Sequence, residues 1–161
     1  MTSYLGVVGR DYADMPDNGI IGCYRPNGPR RSVVKMNEIT DGTSNTIMIG
    51  ERPPGGGNNG NPDPLYWGWW AYSDFDSVLW AKNGASPVST NTLGKSCPGV
   101  NYFSPGNINN SCDVDHFWSV HPGGGHFAFA DGSVKFFEYT IGTTILPQLA
   151  TRNGGEVVAV P

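Results

Sequence analysis

The feature that most constrains the fold is an Asp-Gly pair between two runs of alternating residues, 126–130 and 133–137. Asp-Gly favours a two-residue β-hairpin turn, because both turn residues need positive φ and glycine adopts it freely. With Phe129 opposite Val134, one face of the hairpin carries only apolar side chains and the other is more polar. The face predicted to be buried carries Phe127, Phe129, Val134 and Phe136, and the other carries Ala128, Ala130, Ser133 and Lys135. We therefore predict a hairpin that turns at Asp131 and Gly132.

The composition favours short strands and turns over long helices. The 161 residues include 23 glycines and 13 prolines, above average usage, whereas only 15% of the residues are charged. A hydrophobic content of 38% in a chain of this length suffices for one core. No segment between the loops is large enough to form a core alone, so we expect residues 1–161 to form one domain of a β-rich α+β class.

Further elements follow from local patterns. The runs SYLGVVG (residues 3–9), NGIIGCY (residues 18–24) and TIMIGE (residues 46–51) are typical of strands. The segment PPGGGNNGNPDP, residues 53–64, contains no apolar side chain and is predicted to be an exposed loop.

A turn and a short helix complete the expected organisation. Asp41, Gly42 and Asn45 belong to the run DGTSN, whose small polar residues turn or cap the backbone. Near the end, apolar residues recur at helical spacing after Thr143 or Thr144, either of which is a candidate N-cap. We predict a helix over residues 144–152, with a proline in its first turn.

Charge and hydropathy exclude two classes of partner. The net charge is −4 and the only basic cluster is the pair Arg30-Arg31, so nothing neutralises a run of phosphates and nucleic-acid binding is not expected. No apolar run reaches the roughly 18 residues that cross a bilayer, and residues 1–4 begin no signal segment. We expect no membrane span in this chain.

The cysteines suggest a disulfide rather than a metal site, because no two have CxxC spacing. Cys97 and Cys112 bracket a loop rich in Pro, Gly and Asn, with little to hold it by packing. A disulfide there would remove roughly 3 kcal/mol of chain entropy from the unfolded state and would indicate an oxidising, extracytoplasmic compartment. Cys23 would then be a lone thiol.

The histidines and nearby aspartates raise the question of a metal. We expect His121 to hydrogen-bond a loop carbonyl, and we expect Pro122 and the following three glycines to separate it from His126. On this interpretation these two histidines and His116 do not converge, and no transition metal is required. A structural calcium is the remaining alternative, because loops supply carboxylate and carbonyl oxygens to hard cations. Its candidate ligands are Asp113, Asp115 and Asp131.

No catalytic or cofactor-binding residue is predicted. Serines are present, but none lies in a nucleophile-elbow pattern. The aromatic run YWGWWAY offers Trp67, Trp69 and Trp70 either as core or as a platform on which sugar rings stack, and we favour the core. Coplanar, exposed indoles would favour the sugar platform.

Four blocks of sequence together resemble a known family. His121 is followed by nine residues and then by Asp131-Gly132, and the blocks SYLGVVG, ITDGTSNTIMIGER and LATRNGGEVV occur in the same order as in that family. The chain resembles prepilin-like, secreted bacterial proteins with a C-terminal H-X9-DG domain, the domain of unknown function 1559. The motif residues carried over are His121, Asp131, Gly132, Asp41, Gly42 and Asn45.

The resemblance implies a pilin-like or pseudopilin-like head: an antiparallel sheet with long loops and a short C-terminal helix, located outside the cytoplasm at the cell surface or secreted. It also implies no established enzymatic activity and partners that are other pilin-like subunits or cell-surface components. The leader and long apolar N-terminal helix of the full-length pattern are absent from this sequence, so we do not expect filament assembly through that helix.

Three functions from different classes follow. The leading expectation is a non-enzymatic structural or interaction domain. The alternative is an extracellular carbohydrate-binding module that uses Trp67–Trp70 and takes glycans as partners. The third and weakest is a metal-dependent hydrolase built from His116, His121 and His126.

Overall fold

A six-stranded sheet organises the molecule. The computed structural model describes residues 2–11, 18–22, 33–54, 77–83, 88–90, 96–98, 101–156 and 158. The strands of the sheet are β1 (Tyr4–Asp11), β2 (Ile47–Glu51), β3 (Val78–Asn83), β6 (Asn101–Tyr102), β7 (Gly124–Phe129) and β8 (Val134–Glu138), and β4 (Val88–Thr90) pairs separately with β5 (Ser96–Pro98). A short helix, α1, spans Ile145–Leu149. The prediction of a β-rich α+β fold with a short C-terminal helix is confirmed.

The sheet is mixed rather than antiparallel. Its strand order is β6-β3-β1-β2-β7-β8, and β1 pairs in parallel with β3 but antiparallel with β2. The family resemblance implied an antiparallel sheet, and that prediction is wrong for the pair β1 and β3, which is parallel. A parallel pair needs a long crossover connection, and the chain between Asp11 and Val78 is long enough to supply one.

The central position of β1 explains its sequence. Six of its eight residues are buried, all except Tyr4 and Arg10, because both faces of the strand are covered. One face packs with α1, where Leu146 and Leu149 are buried, and the other packs with Trp80 and Ile21. The main core also contains Leu5, Val7, Ile47, Leu79, Phe103, Phe117, Phe127, Phe129 and Phe137.

Two of the three predicted strands are confirmed, as β1 and β2. The third, over residues 18–24, is wrong where the structure describes it, because residues 18–22 form bends and an irregular segment. Gly19 explains the difference. Its amide donates to the Val8 carbonyl (2.7 Å), and a Cβ on Gly19 would lie 2.4 Å from that oxygen, so the chain crosses against β1 instead of extending beside it.

Helix α1 is shorter than the predicted span of residues 144–152. Thr144 is its N-cap residue and Pro147 lies in its first turn, as predicted. It ends at Leu149, because Thr151 turns its hydroxyl back to the Gln148 carbonyl (3.0 Å) and the Arg152 amide donates to Asn18 (2.9 Å).

The predicted hairpin is present as β7 and β8, but its turn and register differ from the prediction. The Gly132 amide donates to the Phe129 carbonyl (3.0 Å), and the Phe129 amide donates to Ser133 (2.9 Å). The loop thus has three residues, 130–132, and ends on Gly132 with φ +87°. The loop therefore ends on a glycine in the left-handed backbone region, and it is not the two-residue turn that Asp-Gly alone favours.

The extra loop residue shifts the register by one, and every side chain of β8 changes face as a result. His126 lies opposite Phe136, and Ala128 lies opposite Val134. Phe127 and Phe129 are buried as predicted, but the burial predicted for Val134 and Phe136 is wrong: they are 62% and 46% exposed. Phe137 takes the core position instead.

The segment between Cys97 and Cys112 is better packed than its composition suggested. Tyr102 pairs with Lys82 in the sheet, and Phe103 is buried with its ring 5.1 Å from that of Phe127. Cys112 is buried. The side chain of Cys97 lies outside the described residues, so the pairing of Cys97 with Cys112 stays a prediction.

Candidate functional site

One surface cluster brings together side chains that can bind a cation or exchange a proton. It consists of Glu51 at the end of β2, His126 on the adjacent strand β7, and His121 in the loop that precedes β7; we call it the Glu–His–His cluster. One carboxylate oxygen and two imidazole nitrogens of this cluster all lie within 4.8 Å of one another.

Glu51 is the buried member of the cluster. Its side chain is 7% exposed, and the His126 amide donates to its Oε2 (2.7 Å). The Glu51 carbonyl accepts from the Trp118 amide (3.0 Å), which ties the residue to the next segment as well. The His126 amide therefore orients the carboxylate, and the Trp118 amide fixes the backbone of the same residue.

The two imidazoles approach the carboxylate from its solvent side. His126 places Nδ1 3.1 Å from Glu51 Oε2, and the Phe136 ring packs against the His126 ring at 5.1 Å. His121 places Nε2 3.5 Å from Glu51 Oε1, and its side chain is 50% exposed. The centroids of the two imidazole rings are 5.2 Å apart.

The expectation that Pro122 and the glycines keep His121 away from His126 is wrong. The Ser119 hydroxyl donates to the Gly124 carbonyl (2.5 Å) and accepts from the His121 amide (2.9 Å), which folds the loop back on itself. Gly123, with φ +85°, makes the reversal. The glycines thus bring the histidines together instead of separating them.

His116 lies apart from the cluster, among other partners. Its Nδ1 is 3.0 Å from the Phe117 carbonyl and its Nε2 is 3.3 Å from Asp113 Oδ1. Burial raises the pKa of Asp113, but hydrogen bonds from His116, from the Asn107 amide and from Asn110 outweigh burial and lower that pKa below its ordinary value. Asp113 thus orders the turn around it.

The candidate calcium ligands occupy separate settings. Asp131 accepts hydrogen bonds from the Ser133 hydroxyl (2.7 Å) and amide (2.9 Å), which lower its pKa. Asp115 is buried. Within the described ranges, the only group of three or more such side chains close enough to share an ion is the Glu–His–His cluster, which contains none of Asp113, Asp115 and Asp131.

The motif residues of the DGTSN run hold the chain together. Asp41 accepts from the amides of Gly154 (2.7 Å) and Gly155 (3.0 Å), and Asn45 donates to the Asp41 carbonyl (3.2 Å). Gly42 lies between them with φ +93°. These contacts tie residues 39–52 to the end of the chain.

The same run is also bound to the hairpin turn. The Asp131 amide donates to the Thr43 carbonyl (3.1 Å), and the Ala130 amide donates to the Thr46 carbonyl (2.9 Å). A further bond, from the Arg52 amide to Ser3 (2.8 Å), reaches the first block of the sequence. Residues 39–52 therefore contact each of the three other blocks.

Sequence analysis missed Glu51 because no local pattern marks it. It closes an apolar run, and its partners are seventy or more positions away and meet it only through the pairing of β2 with β7. Trp67, Trp69 and Trp70 lie outside the described residues, so both their predicted core packing and the alternative sugar platform stay untested. The hydrolase hypothesis grouped three histidines, of which two meet and one does not.

The fold and the site define a β-rich α+β domain with a Glu–His–His cluster where the end of β2 meets β7. The chain belongs to the family described as "Protein of unknown function (DUF1559)", whose model matches residues 5–144. The resemblance to the domain of unknown function 1559, noted from the four sequence blocks, is thus confirmed. No curated protein and no solved structure matches the chain. Among the described residues, none of the helices has the length and apolar character needed to span a membrane.

Proposed function

We propose that this chain is a non-enzymatic, extracytoplasmic structural or interaction domain of the pilin-like kind. The observation that carries the proposal is how the family blocks use their polar residues. Asp41 and Asp131 accept hydrogen bonds from main-chain amides, and their own amides donate to carbonyls of other blocks. Carboxylates whose oxygens are occupied by structural hydrogen bonds favour a scaffold role over acid–base chemistry.

The proposal assigns the contact with other subunits to the outer face of β8. This strand is at the edge of the sheet, and it exposes Val134 and Phe136 side by side. An edge strand offers unpaired backbone groups to a further strand, and proteins normally protect such edges with charge or with short length. The occupant we propose is a second pilin-like subunit, which adds a strand or packs against this face.

A photo-crosslinking experiment tests this assignment. A benzophenone amino acid at Val134 is expected to yield crosslinked dimers, whereas the same group at Ile108, an equally apolar residue that is 48% exposed elsewhere, is expected to yield few. Val134→Lys should abolish self-association measured by sedimentation velocity. Equal crosslinking at both sites, or a monomer at every concentration, would contradict the assignment of this surface.

The localisation is tested through the cysteines. We expect Cys112 to pair with Cys97, which would stabilise the fold by roughly 3 kcal/mol and would require an oxidising compartment. Peptide mapping by mass spectrometry without reduction should find the two cysteines in one linked pair of peptides. The control is the reduced sample, in which the linked pair should disappear. Linkage of Cys112 to Cys23 would refute the pairing with Cys97. It would still indicate an oxidising compartment, because it is also a disulfide.

A further inference from the structure

We propose that the Glu–His–His cluster binds a divalent transition-metal ion, with Zn²⁺ as the best match. The donor set is the first argument. Imidazole nitrogen and carboxylate oxygen are both ligands of zinc, and two histidines with one glutamate form a three-ligand set that leaves a fourth position for water. Nickel and copper accept the same donors, so the chemical class is a first-row divalent ion.

The spacing of the donors is the second argument. Ligands about 2.0 to 2.1 Å from a tetrahedral zinc lie about 3.3 Å from one another. Glu51 Oε2 is 3.1 Å from His126 Nδ1, and Glu51 Oε1 is 3.5 Å from His121 Nε2. Both distances are close to the tetrahedral value, although they involve different oxygens of Glu51. One donor atom from each of the three residues lies within 4.8 Å of the others, so the donors must draw closer together around the ion.

The surroundings of the cluster are the third argument. Outer groups that orient the ligands by hydrogen bonding are typical of metal sites, and here the Glu51 carboxylate has one while the two histidines are held by packing and by the backbone. The His126 amide orients the Glu51 carboxylate, and the Phe136 ring contacts the His126 ring. Ser119 fixes the backbone of His121. The ligands come from two paired strands and from a loop that is closed by its own hydrogen bonds.

The arrangement also indicates what the ion would do for the chain. It would fasten the loop before β7 to the end of β2 through side chains that otherwise meet only by hydrogen bonding. Because His121 is half exposed, the fourth position faces solvent, where it exchanges water. The cluster adjoins the outer face of β8, because the Phe136 ring contacts the His126 ring. The two proposals are still tested separately, since zinc bound per chain is measured without reference to self-association.

The test measures zinc bound to the purified full chain without a histidine tag. After equilibrium dialysis against Zn²⁺, elemental analysis is expected to find one ion per chain. His121→Ala and Glu51→Gln are each expected to weaken binding by about tenfold or more, because loss of a ligand costs at least as much as loss of an outer-shell partner. His121 is exposed, so His121→Ala should fold even if Glu51→Gln does not.

His116→Asn is the matched control, because it removes a histidine outside the cluster and keeps a side chain that can bond to Asp113. It is expected to bind zinc as the unmodified chain does. Co²⁺ provides a second readout: the visible absorption of a four-coordinate site should appear with the unmodified chain and vanish with His121→Ala. Absence of bound zinc, or zinc retained equally by the two cluster variants, would overturn the proposal.

Discussion

The two faces of the β7–β8 hairpin contain similar residues but have different roles. On the inner face, Phe127, Phe129 and Phe137 are almost fully buried. On the outer face, Phe136 is 46% exposed and lies against His126, beside the Glu–His–His cluster. Phe136 and Phe137 are chain neighbours, and one residue of register decides which of them supports the core and which supports the site.

The inner face is stabilised by aromatic packing. The ring of Phe127 lies 5.7 Å from that of Phe117 and 6.0 Å from that of Phe137, at angles typical of edge or tilted contacts. Phe129 packs against Phe137 at 6.0 Å, with Lys135 Nζ 5.2 Å from the Phe129 ring. Comparable ring contacts on the outer face involve the two histidines, so that face combines packing with polar chemistry.

The largest effect is expected from exchanging the two neighbouring phenylalanines for alanine one at a time. Phe137→Ala should lower the free energy of unfolding by about 3 to 5 kcal/mol, because it leaves a cavity in the core. Phe136→Ala should lower it by less than about 1 kcal/mol, because its side chain is half exposed. Urea denaturation measures both. If Phe136→Ala lowered the free energy of unfolding more than Phe137→Ala, the register would be that of the two-residue turn, and the roles given to the two faces would be wrong.

A smaller effect is expected at the glycines that set the two turns. Gly132→Ala and Gly123→Ala should each cost about 1 kcal/mol, because both glycines have positive φ and neither has an atom within 4 Å of the added Cβ. Gly123→Ala should in addition weaken zinc binding, because it repositions His121. Equal zinc affinity in both variants would show that the loop reversal at Gly123 is not needed for the site.

The smallest effect is expected at Asp131, at the tip of the hairpin. The pKa of this carboxyl is lowered by hydrogen bonds from Ser133, so its charged form stabilises the folded state. That stabilisation is present above the ordinary value of 3.8 and is lost as the pH falls through the lowered pKa. Asp131→Ala should therefore lower the Tm at pH 7, and its Tm should converge with that of the unmodified chain in acid.

Thermal unfolding at several pH values measures this convergence. Ser133→Ala, which removes one of the two donors, should show a weaker form of the same behaviour. A difference in Tm that stays constant down to the lowest pH would mean that the Asp131 carboxylate is not responsible.

The sequence was informative wherever the signal was local. The alternation around Asp131 predicted a hairpin, and the apolar runs predicted β1 and β2. The register was not predictable from local sequence. The three-residue loop is held by distant hydrogen bonds, in which carbonyls of residues 43–46 accept from the amides of Ala130 and Asp131. Those partners are more than eighty positions away in the chain, where turn preferences carry no information. The site was missed for the same reason, since Glu51 meets its histidines only after β2 and β7 pair.

The place of β1 in the middle of the sheet has a consequence for how the chain acquires its structure. Its partners β2 and β3 begin at Ile47 and Val78, so both pairings close long loops, whereas β7 and β8 are joined by a short turn. Loop closure costs entropy before the contacts repay it, and non-local pairing slows folding. During synthesis, β1 therefore gains these two neighbours only after residues 47–51 and 78–83 have followed it out of the ribosome.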